Sequence, residues 1–293
     1  MSPVLSALLV NPNSGVGLAE GALQLLESAV TAHQGQVIVT QSAQEAHDFI
    51  AGAVSRGFTR VIASGGDDTI RDLLPALLQT PCELGIVPRG TYNNLALALG
   101  LPHSEQEALE LALTGQAKPM DLGQVAGHLF TESAGVGYLA EAWSRAPQPE
   151  PTGFLRWASG FVAAGSALLD YRPLPLRVKI DGREIEGEFW DITVANASHF
   201  ANNIAIAPRA SLADGLLDVT FWPAVTALEF LSALPTLLGP EGPAAVPHVL
   251  TEQAKTVEIF STTEIPIRVD NTVKFGTHFR FEVLPSALRV VRP

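Results

Sequence analysis

Three short segments carry residue types suited to holding a phosphorylated ligand: NPNSG at 11–15, SGGDDT at 64–69 and PRGTYNN at 88–94. Glycine lets a phosphate approach backbone N–H groups that a side chain would otherwise shield. The hydroxyls of Ser14, Thr69 and Thr91 add donors. Taken singly, each segment also reads as a tight turn followed by a helix cap. None is the G-x-x-x-x-G-K-[ST] phosphate loop or the G-x-G-x-x-G dinucleotide fingerprint.

The elements around these segments give them a common position. Apolar runs at residues 5–10, 36–40, 60–63 and 83–87 read as strands. Helical stretches follow at 18–33, 43–56, 69–79, 94–99 and 105–113. Strands alternating with helices predict right-handed crossovers and a mostly parallel, Rossmann-like three-layer α/β domain. Ligands of such sheets bind at the carboxyl ends of the strands. The three segments each follow a strand and precede a helix, so they are expected to meet at one sheet edge, with helix N-termini facing the same space.

From about residue 123 the pattern changes. Segments 124–138, 176–180, 188–195, 217–222, 256–260, 265–269 and 277–283 read as strands separated by Gly, Pro or Asn turns, which predicts a β-rich sandwich. Helical inserts are expected at 154–169 and 224–238, with Pro-rich loops at 146–153 and 238–247. The resulting organisation is a nucleotide-binding α/β domain at 1–122 and a β-sandwich acceptor domain at 123–284. A cleft is expected between them, and 285–293 is expected to return to the first domain.

Composition narrows the function. Of the 293 residues, 47% are hydrophobic and only 16% charged, enough to bury two cores. A net charge of −12 argues against a nucleic-acid partner and against constitutive adhesion to anionic membranes. The single cysteine, Cys82, excludes an internal disulfide; a buried structural thiol in a cytoplasmic protein is expected. The start, MSPVLSALLV, lacks the basic residues of a signal peptide, and its apolar run is too short to span a membrane. The seven histidines show no zinc-ligand spacing.

Taken together, the three loops resemble those of the diacylglycerol kinase catalytic family, which includes sphingosine kinases and bacterial lipid kinases and is distantly similar to NAD kinases. Further segments extend the resemblance: MDLG at 120–123, ESAGVGY at 132–138, PRASLADGLLDV at 208–219 and VDNT at 269–272. The resemblance implies an ATP- and Mg²⁺-dependent transfer of the γ-phosphoryl group to the hydroxyl of diacylglycerol or a related lipid, and so a role in phospholipid metabolism. It implies nucleotide contacts from Asn11, Ser14, Gly15, Thr40, Gly65, Gly66, Asp67, Asp68, Thr69, Gly90, Thr91 and Asn93, with Asn93 bracing its loop. It places Mg²⁺ near Asp67, Asp68 and Asp121, and a second, structural metal at Asp214 with the carbonyls of Ser211 and Leu216. Asp214 also reads as a plain Asp-Gly turn. A transient membrane contact and a homodimer are further expectations.

Three positions depart from the family pattern. Asp68 replaces a glycine and Asn94 an aspartate, which reads either as a relocated metal carboxylate or as two independent changes. Thr272 stands where the family has a glutamate proposed as general base. Threonine cannot accept a proton at neutral pH, so Asp270, on the same face of the strand, is the expected substitute base beside Asp67. A nucleotide-binding pseudokinase and a kinase for a soluble hydroxyl acceptor are the competing readings. The stretch 199–203 (HFANN) reads either as a loop of surface polar groups or, by the resemblance, as lying near the acceptor cleft. Trp143, Phe154, Trp157 and Phe161 are expected either in the core or at a lipid-facing mouth.

Overall fold

The computed structural model describes residues 4–11, 22–146, 164–168, 170–200, 204–237, 239 and 241–293. The chain divides into two compact units, residues 1–120 with 286–293 and residues 121–285. The sequence reading sets the junctions at 122/123 and 284/285. Asp121 and Leu122 fall in the second unit because the Asp121 backbone N–H donates to the Leu212 carbonyl at 2.7 Å and its carboxylate accepts the Gly215 N–H at 2.7 Å.

In the first unit, strands β1 (Ser6–Val10), β2 (Gln36–Val39), β3 (Arg60–Gly65) and β4 (Glu83–Pro88) pair in parallel in the order β2-β1-β3-β4. Val290 returns to pair with Leu84 of β4. Strands β1 and β3 are buried along their whole length, which is why they read as continuous apolar runs. Helices α1 (Ala22–Ala32), α2 (Ala43–Ala51), α3 (Asp67–Leu77), α4 (Asn94–Ala98) and α5 (Glu105–Thr114) fill the crossovers. Ser42 caps α2 by accepting the Glu45 N–H, and Ser104 caps α5 through Glu107. Cys82 is buried, as expected.

One charged group is built into this core. Arg60, at the amino end of β3, donates to Glu83 at 2.7 Å and to the carbonyls of Ala112, Leu113 and Gly115 at 2.8–3.0 Å. It thereby satisfies carbonyls that the end of α5 leaves without helical partners.

The second unit is antiparallel. Its long strands β9 (Arg183–Ala195) and β14 (Thr256–Val269) are bridged at one end by β7 (Ser133–Gly137) and at the other by β8 (Leu174–Ile180). Strand β12 (Leu217–Pro223) joins β9, β13 (Leu250–Ala254) joins β12, and β15 (Thr272–Val291) joins β14. The core between these strands includes Phe130, Val178, Ile192, Val219, Ile259 and Phe281. A second cluster, Tyr138, Tyr171, Trp190, Trp222 and Phe230, seats helices α6 (Tyr138–Ser144) and α7 (Ala227–Leu237).

Two elements differ from the sequence reading. The stretch 124–138 is not one strand: β5 (Ala117–Val125) and β6 (His128–Phe130) form a hairpin before β7. Ala126 and Gly127 both take positive φ, 49° and 78°, the geometry of a two-residue primed turn. The last strand is far longer than 277–283, because β14 and β15 stay paired from Val269–Thr272 to Thr256–Glu282 with one register shift. Of the expected 154–169 helix, Ala164–Leu168 is helical; Phe154, Trp157 and Phe161 lie outside the described residues. No helix among the described residues is long and apolar enough to cross a membrane.

Removing the Arg60 clamp leaves Glu83 and three carbonyls without their donor. Arg60→Ala is expected to lower unfolding free energy by about 3 kcal/mol, read from the urea midpoint. A loss below about 1 kcal/mol would show that the clamp contributes only as a surface pair.

Candidate functional site

The carboxyl ends of the parallel strands line up by register: Val10 opposite Val39 and Ser64, and Gly65 opposite Pro88. Asn11, Thr40, Gly66 and Arg89 therefore leave the sheet along one edge. Thr40 is buried and its N–H donates to the Val10 carbonyl. Ser14 and Gly15 lie outside the described residues.

Two of the loops are fused backbone to backbone. The Arg89 N–H donates to the Gly65 carbonyl at 2.9 Å. A Cβ on Gly66 would sit 2.8 Å from the Gly90 Cα, and one on Gly90 would sit 2.5 Å from the Gly66 Cα. Only a pair of glycines permits this approach. Asn93, in the left-handed conformation at φ 52°, accepts the Gly90 N–H at 2.7 Å and donates to its carbonyl at 2.9 Å, closing the 90–93 turn on itself. Its side chain is thus spent, and α4 has no cap of its own. Asp67 supplies one from the other loop: its two carboxylate oxygens accept the N–H groups of Asn94 and Leu95, both at 3.1 Å. Thr91 is exposed beside this turn.

Asp68 stands in the first turn of α3, where the helix dipole favours an acid, and pairs with Arg71 at 2.9 Å. Its φ is not positive, so replacing a glycine there costs no backbone strain. Asp68 is exposed whereas Asn94 is buried, so the carboxylate at 68 does not occupy the surroundings of the side chain at 94.

The second unit holds a buried polar cluster of its own. Asp270, at φ 48° in the turn between β14 and β15, is 4% exposed. Its carboxylate accepts the backbone N–H groups of Thr131, Glu132 and Ser133 at 3.0–3.1 Å and the Thr131 hydroxyl at 3.4 Å. In this arrangement the Asp270 carboxylate holds residues 131–133. Thr272 donates its hydroxyl to the Val269 carbonyl at 3.0 Å. Arg268, fully buried, donates to the Asp270 carbonyl at 2.8 Å and to the Ser133 hydroxyl at 2.9 Å, with its guanidinium 4.3 Å from the Phe200 ring. Trp143 packs on the same phenylalanine.

Asp191 is a second buried aspartate of this unit. Burial raises its pKa from 3.8 to about 6, against the lowering effects of the Leu139 N–H, the Thr193 hydroxyl and Arg268. Motif reading passes over Asp191, Arg268 and Asn196. The available signal is a lone polar residue inside an apolar strand, as in FWDITVA and IPIRV.

The remaining sequence-predicted positions are more dispersed. Asp121 is buried, its carboxylate on the Gly215 N–H. Asp214 closes a turn by accepting the Leu216 N–H at 3.1 Å, and Gln253 donates to it at 3.3 Å; the Ser211 hydroxyl accepts the Ala213 N–H. Among the described residues no three His, Cys, Asp or Glu side chains come together to hold a metal ion. In the 199–203 stretch, His199 bonds Ser198 through Nδ1 at 2.8 Å, while residues 201–203 lie outside the described residues.

Comparison with known proteins matches these two halves separately. Residues 6–125 match the diacylglycerol kinase catalytic domain, and residues 134–292 match the YegS C-terminal NAD kinase beta sandwich-like domain. A protein of Mycobacterium tuberculosis (strain H37Rv) named "Diacylglycerol kinase" is 29% identical over 97% of this chain and 94% of its own length. A protein of Enterobacter sp. (strain 638) named "Probable lipid kinase YegS-like" is 30% identical over 98% of this chain and 96% of its own. The crystal structure of a diacylglycerol kinase from Bacillus anthracis str. Sterne superposes with a TM-score of 0.75 at 18% identity, covering 99% of this chain and 97% of that one, a likeness of fold.

Two predictions follow from the buried acids. Asp270→Asn keeps the shape but turns a donor toward backbone N–H groups; a loss of about 2 kcal/mol in unfolding free energy is expected, with faster amide exchange at residues 131–133. Unchanged exchange there would contradict the assigned hydrogen bonds. Asp191 has a folded pKa above its unfolded value, so the native state binds the extra proton between about pH 4 and 6. Its contribution to stability therefore falls as pH rises through that window, by about 1.4 kcal/mol per unit at most. Asp191→Asn should flatten that part of the stability profile; an unaltered profile would contradict the assignment.

Proposed function

We propose, on the premise that this chain belongs to the diacylglycerol kinase family of lipid kinases, that it transfers the γ-phosphoryl group of ATP to the hydroxyl of diacylglycerol or a related lipid. The observation that carries this reading is the fused edge of the first unit. Gly65, Gly66, Asp67 and Gly90 form one continuous backbone surface, held by Asp67, within the segment that matches the catalytic domain.

That surface suits a triphosphate. Gly66 carries no side chain over the backbone that opens α3, and the first turn of α3 adds the positive end of its dipole. Mg²⁺ keeps several waters and needs only one or two protein carboxylates beside the phosphates, so Asp67 and Asp68 fit the ion without a third acid. When bound, Mg²⁺ would neutralise charge on the phosphate oxygens. Asn11, Thr40 and Thr91 leave the same sheet edge and would orient the nucleotide.

Phosphoryl transfer depends mainly on positioning and charge stabilisation, and its loose transition state asks little of a base. This matters because the Thr272 hydroxyl donates to the Val269 carbonyl and the Asp270 carboxylate holds three backbone N–H groups. The same observation favours a second reading, a nucleotide binder with little turnover.

A single assay separates these readings. Thermal shift with ATP, with and without Mg²⁺, is followed by ADP release in mixed micelles containing diacylglycerol and with soluble polyols. The proposal expects a Mg²⁺-dependent shift and lipid-stimulated ADP release. A shift without release would support the non-catalytic binder; release with polyols alone would make the acceptor soluble.

A further inference from the structure

Asn196 lies at the end of β9 with no exposed surface. Its side-chain Nδ2 donates to two backbone carbonyls, those of Asp121 at 3.1 Å and Thr131 at 3.2 Å. Its own backbone N–H, with that of Ala197, donates to the Glu132 carbonyl at 2.8 and 3.0 Å. The two carbonyls fix the orientation of the amide: turned over, its oxygen would face two acceptors. In the observed orientation Oδ1 is buried without a hydrogen-bond partner. A buried amide oxygen left in this state costs free energy, about 1–3 kcal/mol for such a group. The residue is therefore held where it is by what its donors do.

Those donors tie together two turns at the open end of the β5–β6 hairpin, beside the pair Gly123 and Phe130. On one side Asp121 reaches Gly215 through its carboxylate and Leu212 through its N–H. On the other, Thr131, Glu132 and Ser133 donate their N–H groups to the Asp270 carboxylate, and the Asp270 N–H donates back to the Ser133 carbonyl. Both turns are anchored by a buried carboxylate, and Asn196 is hydrogen-bonded to both.

We propose that Asn196 is a positioning residue whose side-chain amide locks the Asp121 turn to the Asp270 turn, so that the two carboxylates are held as one body. The coupling of the two turns does not depend on the kinase reading above.

The test has two arms. In the first, Asn196→Ala is compared with Val194→Ala, a cavity-forming change in the same strand that removes no side-chain hydrogen bond to either turn. Asn196→Ala is expected to change the ratio of amide exchange rates at Gly215 and Ser133 about 10-fold, as uncoupling of the two turns requires. Val194→Ala, at a similar loss of Tm, is expected to keep that ratio within about threefold. Equal changes in the two variants, or a wild-type ratio in Asn196→Ala, would overturn the positioning role. The second arm needs no variant. In the full-length wild-type chain, amide exchange at Gly215 and at Glu132 and Ser133 should share one denaturant dependence, because the turns open together. Independent opening of Gly215 would overturn the coupling. Neither arm needs turnover, so a failure of the kinase reading is seen separately, as the absence of lipid-stimulated ADP release.

Discussion

The arrangement of the first unit depends on a carboxylate that belongs to one loop and serves another. Asp67 opens α3, yet its oxygens cap α4, whose own cap residue Asn93 is turned inward onto Gly90. This exchange is possible only because Gly66 and Gly90 bring the two backbones into contact. Remove either glycine and a Cβ parts the loops; remove the carboxylate and α4 loses two of its starting donors' partners, a cost of about 1 kcal/mol each by analogy with other caps. The order Gly-Gly-Asp is thus a packing requirement before it is a chemical one. The chemical consequence is a backbone surface already formed, whose ordering cost was met in folding rather than in binding.

The second unit solves a different problem. It buries Asp121, Glu132, Asp191 and Asp270 with Arg268 among strands that are otherwise apolar. An isolated charge in such a place would be expelled or neutralised. Asp270 is satisfied chiefly by backbone N–H groups, which costs no second charge. Asp191 receives fewer donors, and burial prevails, pushing its pKa to about 6.

How much of this was legible in the sequence varies with the range of the interaction. The parallel strands were plain, because β1 and β3 are buried on both faces and read as unbroken apolar runs. The three loops after strands were plain for the same reason. The hairpin at 126–127 was not, since Ala126 is an uncommon residue for a positive φ. The pairing of Gly66 with Gly90 was hidden as well: both glycines are visible, but nothing local says that they touch. The fate of Asp270 was hidden further still. It sits two residues before Thr272 in a strand pattern that suggests a shared face, while its partners lie 137–139 residues away. Side-chain roles set by distant backbone cannot be read from spacing alone.

The account turns on the claim that Asp67 holds the two loops as one preformed edge. The most direct test is amide hydrogen exchange at Asn94 and Leu95 in the nucleotide-free protein, compared with Asp67→Ala. The account predicts slow exchange at both amides in the wild type and fast exchange at both in the variant, with the β3 amides unchanged. Fast exchange at Asn94 and Leu95 in the wild type would contradict it, and would mean that the edge is assembled only when a ligand arrives.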